Sequence, residues 1–162
     1  MPRKATIFSY CQPQYSLLMY MLKSQYSHSS ADVYAKNIDA NTSKKLYELY
    51  RCDDPYEFCI KARLMNLDFG IAEFMAICKI YCYHYAFWPH TRSRFKAFKQ
   101  ILRWKKPNPF SKIKIMKELK DVIDKQINHM SFAIKYDSLL NIPGHHDEVK
   151  AWKMIKNIIE KI

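Results

Sequence analysis

Residues 116–134 read MKELKDVIDKQINHMSFAI, in which Met116, Leu119, Ile123, Ile127, Met130 and Ile134 recur at steps of three and four. Side chains so spaced share one face of an α-helix, while polar and charged residues take most of the other positions. The stretch therefore predicts a long amphipathic helix with one face for a core. Downstream, Asn141-Ile142-Pro143-Gly144 closes this element. His146-Asp147 is expected to open a last helix with the apolar face Val149, Trp152, Ile155, Ile159 and Ile162. Upstream, Pro107-Asn108-Pro109 forces an extended break, because a residue before proline is pushed out of the helical region.

Further toward the start, Asp54-Pro55-Tyr56-Glu57 combines a capping carboxylate, a proline suited to the first helical position and a glutamate placed to complete a capping box. A helix begins there and runs to about Asn66. The pattern weakens at Asp68-Phe69-Gly70, resumes from Ile71 to Trp88 and stops at Pro89. A basic helix is expected over 91–105. Before Asp54, Asn41-Thr42-Ser43 looks like a helix start, with Leu46, Leu49 and Tyr50 on one face of the element that follows. These signals predict an all-α fold, an irregular bundle of about six or seven helices with a partly extended N-terminal arm. The arm, with a short helix, takes residues 1–40; the helical domain takes 41–162 and carries a basic middle segment over 91–117.

Glycine scarcity limits the chemistry. Gly70 and Gly144 are the two glycines of a 162-residue chain, whereas phosphate-cradling loops need several to let backbone N–H groups approach an anion. P-loop and dinucleotide folds are excluded on that ground. The sequence holds no nucleophile elbow, no His-Glu-x-x-His and no carboxylate pair apart from helix caps, so no catalytic residue, cofactor or metal is expected. His129 reads as an ordinary helix histidine. Cys78, Cys82 and His84, with His145, His146 and Asp147 elsewhere, could be imagined as zinc ligands. A zinc site usually declares itself by two close ligand pairs, and one pair is present here. Packed thiols in an aromatic core are the simpler reading. Five cysteines without dense even spacing point to a reducing compartment.

The charge is uneven. Net charge is +12, and no carboxylate occurs in the 44 residues between Glu73 and Glu118. Within or beside the basic segment lie Arg92, Arg94, Lys96, Lys99, Arg103, Lys105, Lys106, Lys112, Lys114 and Lys117, the residues expected to bind an anionic partner. Trp104 and Phe110 are candidates for aromatic contact with it. Candidate partners are acidic protein subunits of a larger complex, anionic lipid and RNA. The 20 residues 69–88 are long enough to reach across a bilayer and precede a cationic stretch, which raises membrane contact. Lys79 near their middle argues instead for a helix buried in protein.

Residues 1–31 contain Arg3, Lys4 and Lys23, no carboxylate and many Ser and Tyr. This composition resembles a mitochondrial targeting segment, with Ser16 to Met21 as its apolar helical stripe. Leu49-Tyr50-Arg51 spells the tripeptide of the LYR family, small three-helix mitochondrial accessory subunits and assembly factors, and the resemblance covers one helix at most. In that family the helix continues for several turns past the tripeptide; here Cys52-Asp53-Asp54-Pro55 ends it at once, and the match is read as coincidence. The expected function is a non-catalytic accessory subunit of a large assembly, mitochondrial and of respiratory-chain or ATP synthase type. Otherwise the chain is cytoplasmic. The alternative is an RNA-binding protein such as a mitochondrial ribosome subunit.

Overall fold

The computed structural model describes residues 30–35 and 37–162. They form a short helix, α1 (Ser30–Ala35), and six longer ones: α2 (Ala40–Tyr50), α3 (Pro55–Leu64), α4 (Ile71–Phe87), α5 (Arg92–Arg103), α6 (Met116–Tyr136) and α7 (Pro143–Glu160). Single 3-10 turns at Pro89–Thr91 and Pro109–Lys112 link α4 to α5 and lead into α6. No strand occurs among the described residues, and the fold is an all-α bundle. The arm residues 1–29, with the stripe at Ser16 to Met21, lie outside the described residues.

Local chemistry sets the helix boundaries. Asp54 accepts at 2.9 Å from the Glu57 backbone N–H, with Pro55 in the first turn, as expected. Glu57 does not reach back to close a capping box; it pairs with Lys61 one turn on, at 3.0 Å. Helix α2 starts before the Asn41-Thr42-Ser43 signal, because Asp39 accepts from the Thr42 N–H at 2.7 Å and takes the cap. Helix α7 likewise starts at Pro143 and not at His146-Asp147, since the fixed φ of proline already suits the first helical turn. At α4 the cap is reciprocal to the usual one: Glu73 accepts from the Gly70 N–H at 3.0 Å.

Helix α4 is the central element and packs against α1, α2, α5 and α7; α7 also packs on α6 and α5. Its Phe74 to Cys82 run is buried all round, in keeping with a helix that meets neighbours on several sides. Residues 69–88 therefore sit inside the bundle, and no helix among the described residues is long and apolar enough to cross a membrane. Lys79 is buried where α4 meets α7, with Glu148 also buried. Burial pulls its pKa down to about 8, against the attraction of Glu148.

The amphipathic face of 116–134 packs largely as its periodicity predicts: Leu119, Ile123, Ile127 and Ile134 are buried, and so is Gln126, which accepts from the Ala31 N–H at 3.4 Å. That bond ties α1 to α6, joined by Tyr34 donating to Glu118 at 2.7 Å. Packing thus extends the body to residue 30, inside the arm expected over 1–40. On α7, Val149, Trp152, Ile155 and Ile159 are buried, but Ile162 lies past the helix end and is exposed.

Candidate anion-binding edge and groove

Helix α5 sorts its residues cleanly. Phe95, Ala97, Phe98, Ile101 and Leu102 are buried, while Arg92, Lys96, Lys99 and Arg103 recur at steps of four, three and four. That spacing puts the four cations on one edge of the helix. Arg92 is the anchored member: its Nε donates to the Tyr85 carbonyl at 2.8 Å, its guanidinium lies over the Tyr85 ring, and it pairs with Asp147 at 3.5 Å. Lys99 lies against the Sδ of Met154 on α7 at 3.9 Å. Arg94 leaves this edge and stands over the Tyr50 ring, 5.3 Å from its centre.

Past Arg103 the chain turns through Trp104, Lys105 and Lys106 into the Pro107-Asn108-Pro109 break. Asn108 is buried and holds this loop: its Nδ2 donates to the Ile101 carbonyl at 2.5 Å, and its Oδ1 accepts from the Phe110 N–H at 2.8 Å. Between the loop, α5, α6 and the end of α7 opens a groove of about 850 Å³. Lys99, Arg103, Lys105, Lys106 and Lys161 border it, and no acidic side chain is among the residues that line it. Leu102, Ile113, Met116, Met154 and Ile158 give it an apolar stretch of wall, beside the uncharged polar Asn108, Ser111 and Asn157. Arg103, Lys105, Lys106 and Lys161 have no ion-pair partner among the described residues.

The ten sequence-predicted cations are therefore not one surface. Lys99, Arg103, Lys105 and Lys106 meet at the groove, with Arg92 and Lys96 along the same helix edge. Lys112 and Lys114 line a neighbouring depression that includes Asp68 and Gly70. Lys117 is exposed at the start of α6, outside both. Of the two aromatic candidates, Trp104 is half-buried, lines the groove and meets Tyr56 edge-on at 6.2 Å. Phe110 is not a surface contact: it is buried against Phe58, Phe69, Phe74 and Phe98 and knits α3, α4 and α5 together. Lys161, 44 residues past the end of the basic segment, is a groove residue that sequence periodicity does not reveal.

The histidines and thiols form no comparable site. Cys78 and Cys82 are fully buried, and burial pushes both thiols well above the usual range. No group of three or more His, Cys, Asp or Glu among the described residues is placed to hold a metal ion. His145 pairs with Glu148 at 3.3 Å and His146 contacts Asn141 at 2.7 Å. The Leu49-Tyr50-Arg51 tripeptide ends α2, with Leu49 and Tyr50 buried and Arg51 as the C-cap.

No protein-family model matches the chain, and neither curated proteins nor solved structures give a match.

Proposed function

We propose that this chain is a non-catalytic accessory subunit of a larger assembly, which it joins through the cationic edge of α5. The observation that carries this reading is the line Arg92, Lys96, Lys99 and Arg103, continued by Lys105 and Lys106, with no carboxylate among the described residues to neutralise the last three. A cluster of unpaired cations repels itself and is relieved by an anionic neighbour. The acid-poor, Ser-rich sequence of residues 1–31 supports a mitochondrial setting, and a respiratory-chain or ATP synthase type of assembly is the reading that follows from it. Acidic protein or lipid headgroups are the proposed neighbours.

The RNA-binding alternative draws less support. Of the aromatics interleaved with the cations, Phe95, Phe98 and Phe110 are committed to the core, which leaves Trp104 alone for base stacking. Native gel electrophoresis of the tagged chain, with mass spectrometry of the band that holds it, tests the proposal. Migration in a particle far larger than 19.4 kDa is expected, and migration as a free monomer contradicts it.

A further inference from the structure

The groove beside α5 has a composition that the accessory-subunit reading does not require. An edge that meets an acidic protein surface needs exposed cations, but it does not need an apolar hollow behind them. Here Leu102 and Ile158, both buried, back the hollow, and the half-buried Met116 and Met154 flank it. Around this apolar interior stand five cations: Lys99, Arg103, Lys105 and Lys106 from α5 and its following loop, and Lys161 from the end of α7.

We infer that this groove is a binding site for a single-chain anionic amphiphile, an alkyl carboxylate whose tail lies along the apolar walls and whose head meets Arg103, Lys105, Lys106 and Lys161. Three observations select this ligand class. The volume of about 850 Å³ is that of a small-molecule site, whose usual range is about 300–1,000 Å³. Charge complementarity selects an anion, because the lining includes five cations and no acidic side chain. The apolar walls select a tail, since a compact anion such as phosphate would leave them uncovered. Burying the tail supplies a driving force proportional to the apolar area removed from water. Guanidinium and ammonium groups on the carboxylate add charge-assisted hydrogen bonds.

The site shares Arg103, Lys105 and Lys106 with the edge proposed to meet the assembly. It is tested by isothermal titration calorimetry of the full chain with dodecanoate below its micelle concentration, beside dodecyltrimethylammonium, acetate and phosphatidylglycerol vesicles. Saturable one-to-one binding of dodecanoate is expected, with binding of dodecyltrimethylammonium and acetate weaker by about tenfold or more, since each lacks either the charge-assisted bonds or the tail. The double variant Lys105→Gln, Lys106→Gln should weaken dodecanoate by about tenfold, the loss of one to two charge-assisted bonds. Met116→Trp, which fills the groove, should also weaken it, with helical circular dichroism unchanged in both variants. Equal affinity for the cationic and anionic amphiphiles, unaltered binding by the double variant, no binding, or binding to vesicles without dodecanoate affinity would each overturn the inference. The position of the chain in a large particle is read separately on native gels, so either reading can fail while the other stands.

Discussion

Asn108 donates through Nδ2 to the carbonyl of Ile101 at 2.5 Å, closing the end of α5 with a side chain seven residues downstream. The same Nδ2 reaches the Trp104 carbonyl at 3.4 Å, and Ser111 Oγ donates to the Asn108 carbonyl at 2.7 Å. Helix C-termini leave carbonyls unpaired, and here a buried amide satisfies them. Because Lys105 and Lys106 ride on this loop, the bond that ends the helix also places the groove's cations.

Replacing Asn108 with Ala removes that amide and strands a buried Phe110 N–H. A loss of about 2–4 kcal/mol is expected, the sum of the broken bonds and the desolvated groups left behind. Urea denaturation checks it. A loss below about 0.5 kcal/mol, the range of ordinary surface substitutions, would show that the loop is held by other contacts.

Gly144 occupies the first turn of α7 hard against Phe87. An added Cβ would lie 2.8 Å from Cζ and 2.9 Å from Cδ1 of that ring, and closer still to Cε1. The ring is itself held between Tyr83 at 4.7 Å and His145 at 5.1 Å. Gly144→Ala should therefore destabilise by about 1–3 kcal/mol, less the few tenths that Ala gains over Gly in chain entropy. Phe87→Leu in the same chain should recover part of the loss. Simple additivity of the two substitutions would argue against the contact.

His84 is 3% exposed and its Nδ1 has no hydrogen-bond partner among the described residues. Burial, with Arg94 and His90 adding repulsion, pulls its pKa down from 6.5 to about 4. Between those values the unfolded chain binds more protons than the folded one, so stability falls as pH drops. This contribution is complete above pH 6.5 and lost by about pH 4, a change on the order of 3 kcal/mol. Thermal melts of wild type and His84→Leu across this window check it, the variant showing the shallower slope. Parallel slopes would contradict the assignment.

Cys52, Cys59, Cys78 and Cys82 are free and buried. Burial raises the Cys59 thiol to about 11, against the opposing pull of Arg63, and a protonated, inaccessible thiol does not attack a disulfide reagent. In a Cys11→Ser chain, labelling by an aromatic disulfide should be slow in native buffer and fast for all four thiols in denaturant. Rapid native labelling of Cys78 or Cys82 would place α4 outside the core.

Much of the bundle was legible because helix signals are local. Asp54-Pro55 and the three-and-four spacing of Leu119, Ile123 and Ile127 announce their elements within one or two turns. Where two polar residues compete for a cap the sequence is ambiguous, and Asp39 prevails over Asn41 by reaching the Thr42 N–H. The candidate site was legible only as a charge count. Helical spacing aligns Arg92, Lys96, Lys99 and Arg103, but nothing local shows that Phe110 turns inward or that Lys161 joins Lys105 and Lys106 in lining the groove. The first depends on how α3, α4 and α5 pack around Phe110 and the second on how α7 lies beside α5, tertiary facts without a sequence period.

In the proposed function the cationic edge of α5 makes contact with an anionic neighbour. The most direct measurement of this contact is the sedimentation of tagged wild-type chain in native extract beside a variant carrying Lys96→Glu, Lys105→Glu and Lys106→Glu, three exposed positions whose reversal leaves the core intact. The wild type should travel with a large particle and the folded variant should remain at the top of the gradient. Co-sedimentation of the charge-reversed chain at the wild-type position would show that this edge does not make the contact.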